Sequence, residues 1–193
     1  MTLLQIIERA LVNLGEDADA ETVEEYKQGF GITGHVNSGY IQVCERDYRP
    51  CRVEQAELDE DGCFSPSSLS FAVLSIEGVY PAGGAGVAPP RPHYALPDGR
   101  VRVPGAALTT VDVVYRYLPD LLENDGDAPV FPERFHDCLA DYAAYRVLGT
   151  GSVVRQQRAQ FFLQEFERKR RMIRPFGAEL GGTGAAVVRN KYV

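Results

Sequence analysis

The apolar positions change period twice along the chain, and those changes divide it. From Thr2 to Leu14 they recur at three- and four-residue steps. Leu3, Leu4, Ile7, Leu11 and Leu14 share one face, Ile6 and Ala10 flank it, and Gly15 ends the run, which predicts a short amphipathic helix. An acidic turn, Glu16 to Asp19, separates it from a second helical stretch over residues 20–47. Val23, Tyr26, Lys27 and Phe30 carry the first part, and Val36, Tyr40, Val43, Cys44 and Asp47 the second. Glycines at 29, 31 and 34 predict a bend or break between the two parts, and Pro50 sets the outer limit.

At Arg52 the period shortens to two. Residues 52–58 alternate, Asp61-Gly62 is a turn signal, and residues 70–81 are rich in β-branched and aromatic side chains. The Gly/Pro segment 82–92 reads as a loop, and Asp98-Gly99 sits between two short strand-like runs. Residues 109–119 form the clearest strand, with Val111, Val113, Tyr115 and Tyr117 on one face and Asp112, Val114, Arg116 and Leu118 on the other. An acidic link rich in turn residues follows.

At Pro132 the helical period returns. Pro132 suits a first helical position, Glu133 suits the positive end of the dipole, and Phe135, Leu139, Tyr142 and Tyr145 or Arg146 form a stripe. Gly149-Thr150-Gly151 interrupts it. A further helix is expected from Ser152, as N-cap, to Ile173, with Pro175 and Gly177 stopping it. The predicted fold class is therefore α+β: a helical bundle formed by the N-terminal and C-terminal helices (1–50 and 123–176), an inserted small antiparallel β-sheet or sandwich (51–122), and an extended C-terminal tail (177–193).

Charge adds a polarity to this outline. Residues 1–130 carry nine Lys/Arg against twenty-one Asp/Glu, and residues 131–193 eleven against six. Opposed surfaces of this kind suit different neighbours, or the next copy of the same chain. The overall charge of −7 makes sequence-specific DNA binding unfavourable. No apolar run of membrane-spanning length occurs, and the first residues lack a basic leader and a small-residue cleavage site, so a cytosolic chain is expected.

Candidate chemistry is thin. Cys44, Cys51, Cys63 and Cys138 form no CxxC pair and read as reduced thiols; a zinc site would need Cys44, Cys51, His35 and a fourth ligand brought together. Gly83-Gly84-Ala85-Gly86 lacks the Lys-Ser/Thr of a phosphate loop, and Asn124 to Asp127 lacks the twelfth-position Glu of a calcium loop. His35, His93 and His136 have no nucleophile at triad spacing and read as surface or packing residues. Neither a catalytic set, a metal site nor a cofactor is expected. The basic run Arg168, Lys169, Arg170 and Arg171 has three readings: a solvated helix end, a contact to an acidic partner surface, or a contact to DNA backbone.

The strand at 111–119, the acidic link at 123–132 and the helix that follows carry a resemblance. Tyr115, Pro119, Asp125, Asp127, Pro129, Pro132, Phe135, His136, Leu139, Tyr142, Ala143, Ala144 and Arg146 fill a progression similar to that of the head–tail connector (adaptor) proteins of tailed bacteriophages. Similar proteins often carry acidic residues after this helix, where this chain has Gly149 to Ser152. The resemblance implies a non-enzymatic virion protein of the neck region, assembled in the host cytoplasm. It implies a homo-oligomeric ring, usually of twelve, beneath the portal protein, touching neck or tail proteins, with DNA passing through unread and no membrane involved. Another phage component, such as a terminator, tail-tube or baseplate protein, is the alternative. Contacts to the portal or a neighbouring subunit are expected from Arg168, Lys169, Arg170, Arg171 and Arg174, and from the tail residues Val187, Val188, Arg189, Asn190, Lys191, Tyr192 and Val193. Such a tail can add a strand or a wedge to a neighbour.

Overall fold

The computed structural model describes residues 1–85, 87–105, 109–149 and 152–179, without the side chains of Ala178 and Glu179. The chain is α+β and divides into a helical unit, Met1–Tyr48 with Asp120–Phe176, and a β unit built on Arg49–Pro119.

In the helical unit, α1 (Leu3–Leu14) begins with a reciprocal cap: the Thr2 hydroxyl accepts from the Gln5 N–H, and the Gln5 side chain accepts from the Thr2 N–H. Gly15, at φ +86°, closes its far end. Leu3, Ile6, Ile7, Ala10, Leu11 and Leu14 are buried while Leu4 is only half-buried. The inward face is thus rotated from the predicted one toward Ile6 and Ala10. Asp19 caps α2 (Ala20–Gly29) by accepting from the Thr22 N–H at 2.8 Å. The break falls at Phe30-Gly31, where Gly31 takes φ +60°, and α3 (Ile32–Val43) follows, with Gly34 inside it. A π turn, Cys44–Tyr48, continues the inward face, so Val36, Tyr40, Val43, Cys44, Asp47 and Tyr48 are all buried.

Two helix boundaries differ from expectation. Pro132 precedes a 3-10 turn, Glu133–Phe135, and α4 starts only at Asp137 and runs to Leu148. The helix α5 (Val153–Glu179) does not stop at Pro175. The proline removes one N–H from the ladder. Phe176 nevertheless stays anchored, its ring 5.5 Å from that of Phe135 and 4.2 Å from the Arg134 guanidinium. The interruption after α4 begins at Gly149; Thr150 and Gly151 lie outside the described residues, as does the predicted tail from Leu180 on.

The predicted single stripe on α4 is also too narrow. Cys138 to Ala144, Val147 and Leu148 are all buried, so this helix is covered almost all round. The link ahead of it is held to the bundle by backbone-like contacts. Buried Asn37 donates to the Leu122 carbonyl and accepts from the Leu122 N–H, both at 2.9 Å, while Leu3 N–H donates to the Asp127 carbonyl at 2.7 Å.

In the β unit, β1 (Cys51–Glu57), β3 (Ala72–Pro81) and β6 (Thr110–Leu118) form one antiparallel sheet with β6 central. A smaller antiparallel sheet has β5 (Val101–Arg102) between β2 (Cys63–Phe64) and β4 (Tyr94–Ala95). Val111, Val113 and Tyr115 join Ala56, Val79, Phe64, Val101 and Val103 in one core, with Tyr117 partly buried against it. The Asp98-Gly99 turn links β4 to β5, with Gly99 at φ +84°.

Gly39 on α3 faces the Tyr142 ring on α4: a Cβ there would lie 2.9 Å from that ring, whereas one at Gly34 would meet nothing within 4 Å. Two alanine substitutions in one helix therefore take opposite signs. Gly34→Ala is expected to stabilise by about 0.5–1 kcal/mol. Gly39→Ala is expected to destabilise, since overpacking of about 1–3 kcal/mol outweighs the propensity gain. Urea unfolding of both variants checks this, and equal signs would contradict the packing described.

Candidate functional site

The basic run lies on α5, whose 27 residues extend about 40 Å. Ala159, Phe162, Phe166 and Ile173 supply its buried face, and the Phe166 ring stands 4.7 Å from that of Tyr142 on α4. Few Lys or Arg side chains lie this close to a core, and here the reason is local: carboxylates of the same unit meet them.

Lys169 Nζ donates to Asp137 Oδ2 at 2.5 Å and to Asp141 Oδ2 at 2.6 Å. The other Asp141 oxygen accepts from Asn13 Nδ2 at 3.1 Å, so α1, α4 and α5 meet at one carboxylate. Burial pushes the Asp141 carboxyl above its ordinary value, and the bond and charge of Lys169 oppose that shift. Asp47, on the π turn, has a fully buried side chain. Arg174 Nε donates to its Oδ1 at 2.5 Å, and Arg170 Nε stands 3.2 Å from its Oδ2 as an ion pair without a directed hydrogen bond. Arg170 Nη2 also donates to Glu167 at 2.7 Å.

The five cations expected to touch a partner thus differ in what they already hold. Lys169, Arg170 and Arg174 bind carboxylates of their own unit. Arg168 is exposed and bonded to Glu165 at 2.7 Å, one helical turn away. Arg171 is exposed and makes no ion pair among the described residues. Val187, Val188, Arg189, Asn190, Lys191, Tyr192 and Val193 lie outside the described residues.

The sequence reading overlooked a second feature of α5. Val153 is 69% exposed, Val154 74%, Phe161 58% and Met172 51%. Every side chain from Val153 to Arg158 is exposed, so the opening turns of the helix rest on no core. Counting outward from the stripe Ala159, Phe162, Phe166 and Ile173 would have revealed these apolar positions, because the inward phase dictates which residues face away.

The remaining candidates have structural partners. Cys44, Cys63 and Cys138 are buried and Cys51 half-buried, all as free thiols; burial pushes Cys44 and Cys138 well above the ordinary thiol range. His136 is buried, with its two ring nitrogens 2.9 Å from the Met1 carbonyl and 2.7 Å from that of Phe131. His93 Nδ1 stands 3.2 Å from the Arg91 carbonyl, and burial lowers His35. In the acidic link, Asp125 pairs with Lys27 at 2.5 Å and Asp127 accepts from the Glu123 and Asn124 N–H groups at 2.8 Å. In the glycine loop, Ala85 N–H donates to buried Asp112; Gly86 is outside the described residues. An open cleft in the β unit is lined by Asp59, Cys63, Ser65 and Arg100, and Arg100 is held by Asp59 and Asp98. Among the described residues, no three His, Cys, Asp or Glu side chains cluster as a metal site, and no helix is long and apolar enough to cross a membrane.

A family model described as SU10 adaptor protein matches residues 1–188. This agrees with the resemblance carried by Tyr115 to Arg146. Comparison with curated proteins gave no match.

The division of labour within the basic run is measurable. Arg170→Ala leaves buried Asp47 with Arg174 alone and is expected to cost about 1–3 kcal/mol. Arg168→Ala and Arg171→Ala are expected to stay within about 0.5 kcal/mol of the parent. Denaturant midpoints of the three variants check this; an equal effect at all three positions would contradict it.

Proposed function

We propose that this chain, which belongs to the SU10 adaptor protein family, is a structural joint in the neck of a bacteriophage particle. Copies close into a ring, twelve by the resemblance, beneath the portal protein, take up the neck or tail proteins on the other side and leave a passage for DNA. Assembly takes place in the host cytoplasm, and the role is one of architecture, without catalysis or a cofactor. The single observation that carries this reading is the family match, which spans nearly the whole chain.

The helical unit is suited to such work. Its core joins α1 to α5 in one cluster, so a load applied to α5 reaches the other helices through packed side chains and buried ion pairs. A rod of about 40 Å can cross a layer of subunits. The net charge of −7 disfavours adhesion to the phosphate backbone, which suits a conduit through which DNA must slide. The basic end of α5 and the acidic N-terminal portion of the chain offer opposite charges to successive neighbours.

Mixing the purified chain with portal assemblies, then measuring mass by light scattering and viewing negatively stained particles, tests the proposal. Rings seated on one face of the portal are the expected result. A chain that stays monomeric and never joins portal would overturn it, as would co-purification with tail tube but not with portal.

A further inference from the structure

We infer that the outward face of α5 is the surface on which the next copy of this chain docks, and that the acidic turn and α2 of that copy are what it receives. The inference rests on the ring reading above and goes further by naming the two surfaces.

The apolar part of the argument concerns Val154, Phe161 and Met172. At 100° per residue they fall within about 20° of one line along α5, with Arg168 about 40° from it. Single exposed apolar residues are ordinary, but three large ones in line on one helix form a stripe. The stripe continues onto the turns at Val153–Arg158, whose side chains are all exposed. Helical turns without a packed face are marginal in water, and the valines at 153 and 154 are weak helix formers. A covering partner would supply the burial that this end of the helix lacks.

Charge selects the partner. Glu16, Asp17, Asp19, Glu21, Glu24 and Glu25 are all exposed, and none makes an ion pair among the described residues. They are engaged at most in local contacts, such as Asp19 at the Thr22 N–H and Glu24 with Gln28. This acidic rim stands at the N-terminal end of α5. Arg158 Nη2 donates to the Asn13 carbonyl at 2.6 Å, which ties that end of α5 to the chain just ahead of the acidic turn. Arg168 and Arg171 lie roughly 20 Å further along the helix. The exposed side of this unit therefore carries acidic side chains at one end and Arg168 and Arg171 toward the other, with Val154 and Phe161 between them and Met172 just beyond. Two copies offset along α5 satisfy both charges and bury the stripe, and such a head-to-tail contact closes into a ring where its rotation divides a full turn. DNA matches the basic end alone and leaves the apolar stripe and the acidic rim uncovered.

The test uses the full chain and three variants at exposed positions, each first shown by circular dichroism and thermal melting to be folded like the parent. Arg168→Glu with Arg171→Glu is expected to weaken self-association at least about tenfold. Adding Glu21→Arg, Glu24→Arg and Glu25→Arg to that double variant restores charge complementarity and is expected to recover association. Phe161→Asp removes the stripe and is expected to weaken association even at high salt, where surface charges are screened. Light scattering across a concentration series reads all of these. A double variant that assembles as the parent does, or that loses affinity for duplex DNA while its assembly is unchanged, overturns the inference and leaves the ring reading standing. A compensated variant that fails to recover also overturns it. A parent chain that forms no assembly, even with portal, overturns the ring reading instead.

Discussion

Nine of the twelve residues of α4 are buried, and the helical unit is arranged around that constraint. A helix covered on nearly every side needs neighbours on every side, and α1, α3 and α5 supply them. Small side chains fill much of the packing: Ala140, Ala143 and Ala144 on α4 and Ala10 on α1 are fully buried, and Gly39 on α3 leaves room for the Tyr142 ring. Where α4 carries charge, the cost of burial is offset by partners from other helices. Asp141 is met by Lys169 and Asn13, and Asp137 by Lys169. Removal of Lys169 would leave Asp141 buried with only an amide, a state far less favourable than the paired one.

The same logic explains why α5 is both well anchored and widely exposed. Its anchoring comes from long side chains, Phe162, Phe166 and Ile173 with Lys169 and Arg170, which reach into the unit. Long side chains keep its axis at a distance and leave the opposite side bare. A helix held in this way can present a second face without weakening the first. That combination is compatible with the joint proposed above, in which α5 would meet a neighbour while its own core stays intact.

Much of the architecture was legible along the chain because its signals are local. The Thr2/Gln5 cap and Gly15 bound α1, Gly31 divides α2 from α3, and the alternation through Val111, Val113 and Tyr115 reveals the central strand. What escaped depends on distant partners or on elements too short to have a period. The two-residue strand β2 carries no alternation to read, whereas the Asp98-Gly99 turn revealed the short runs that form β4 and β5. The run at Arg168 to Arg171 announces positive charge at a helix end, but Asp47, more than a hundred residues earlier, absorbs part of it. Pro175 reads as a stop, yet the ring of Phe176 against Phe135 and Arg134 anchors the helix past it. The acidic link read as a turn-rich connection, and nothing local announced that the Asn37 amide pairs with Leu122, just ahead of it, as a strand would.

A bundle whose core lies within one chain, and which keeps charged and apolar side chains of α5 exposed, is compatible with the ring proposed above. The most direct measurement is an image reconstruction of the particle neck at a resolution that traces this chain. A ring of copies between head and tail, each retaining the buried α4 and the Asp47 and Asp141 ion pairs, is the predicted result. A trace that finds the chain elsewhere in the particle, or as a solitary subunit with α5 facing only solvent, would contradict it.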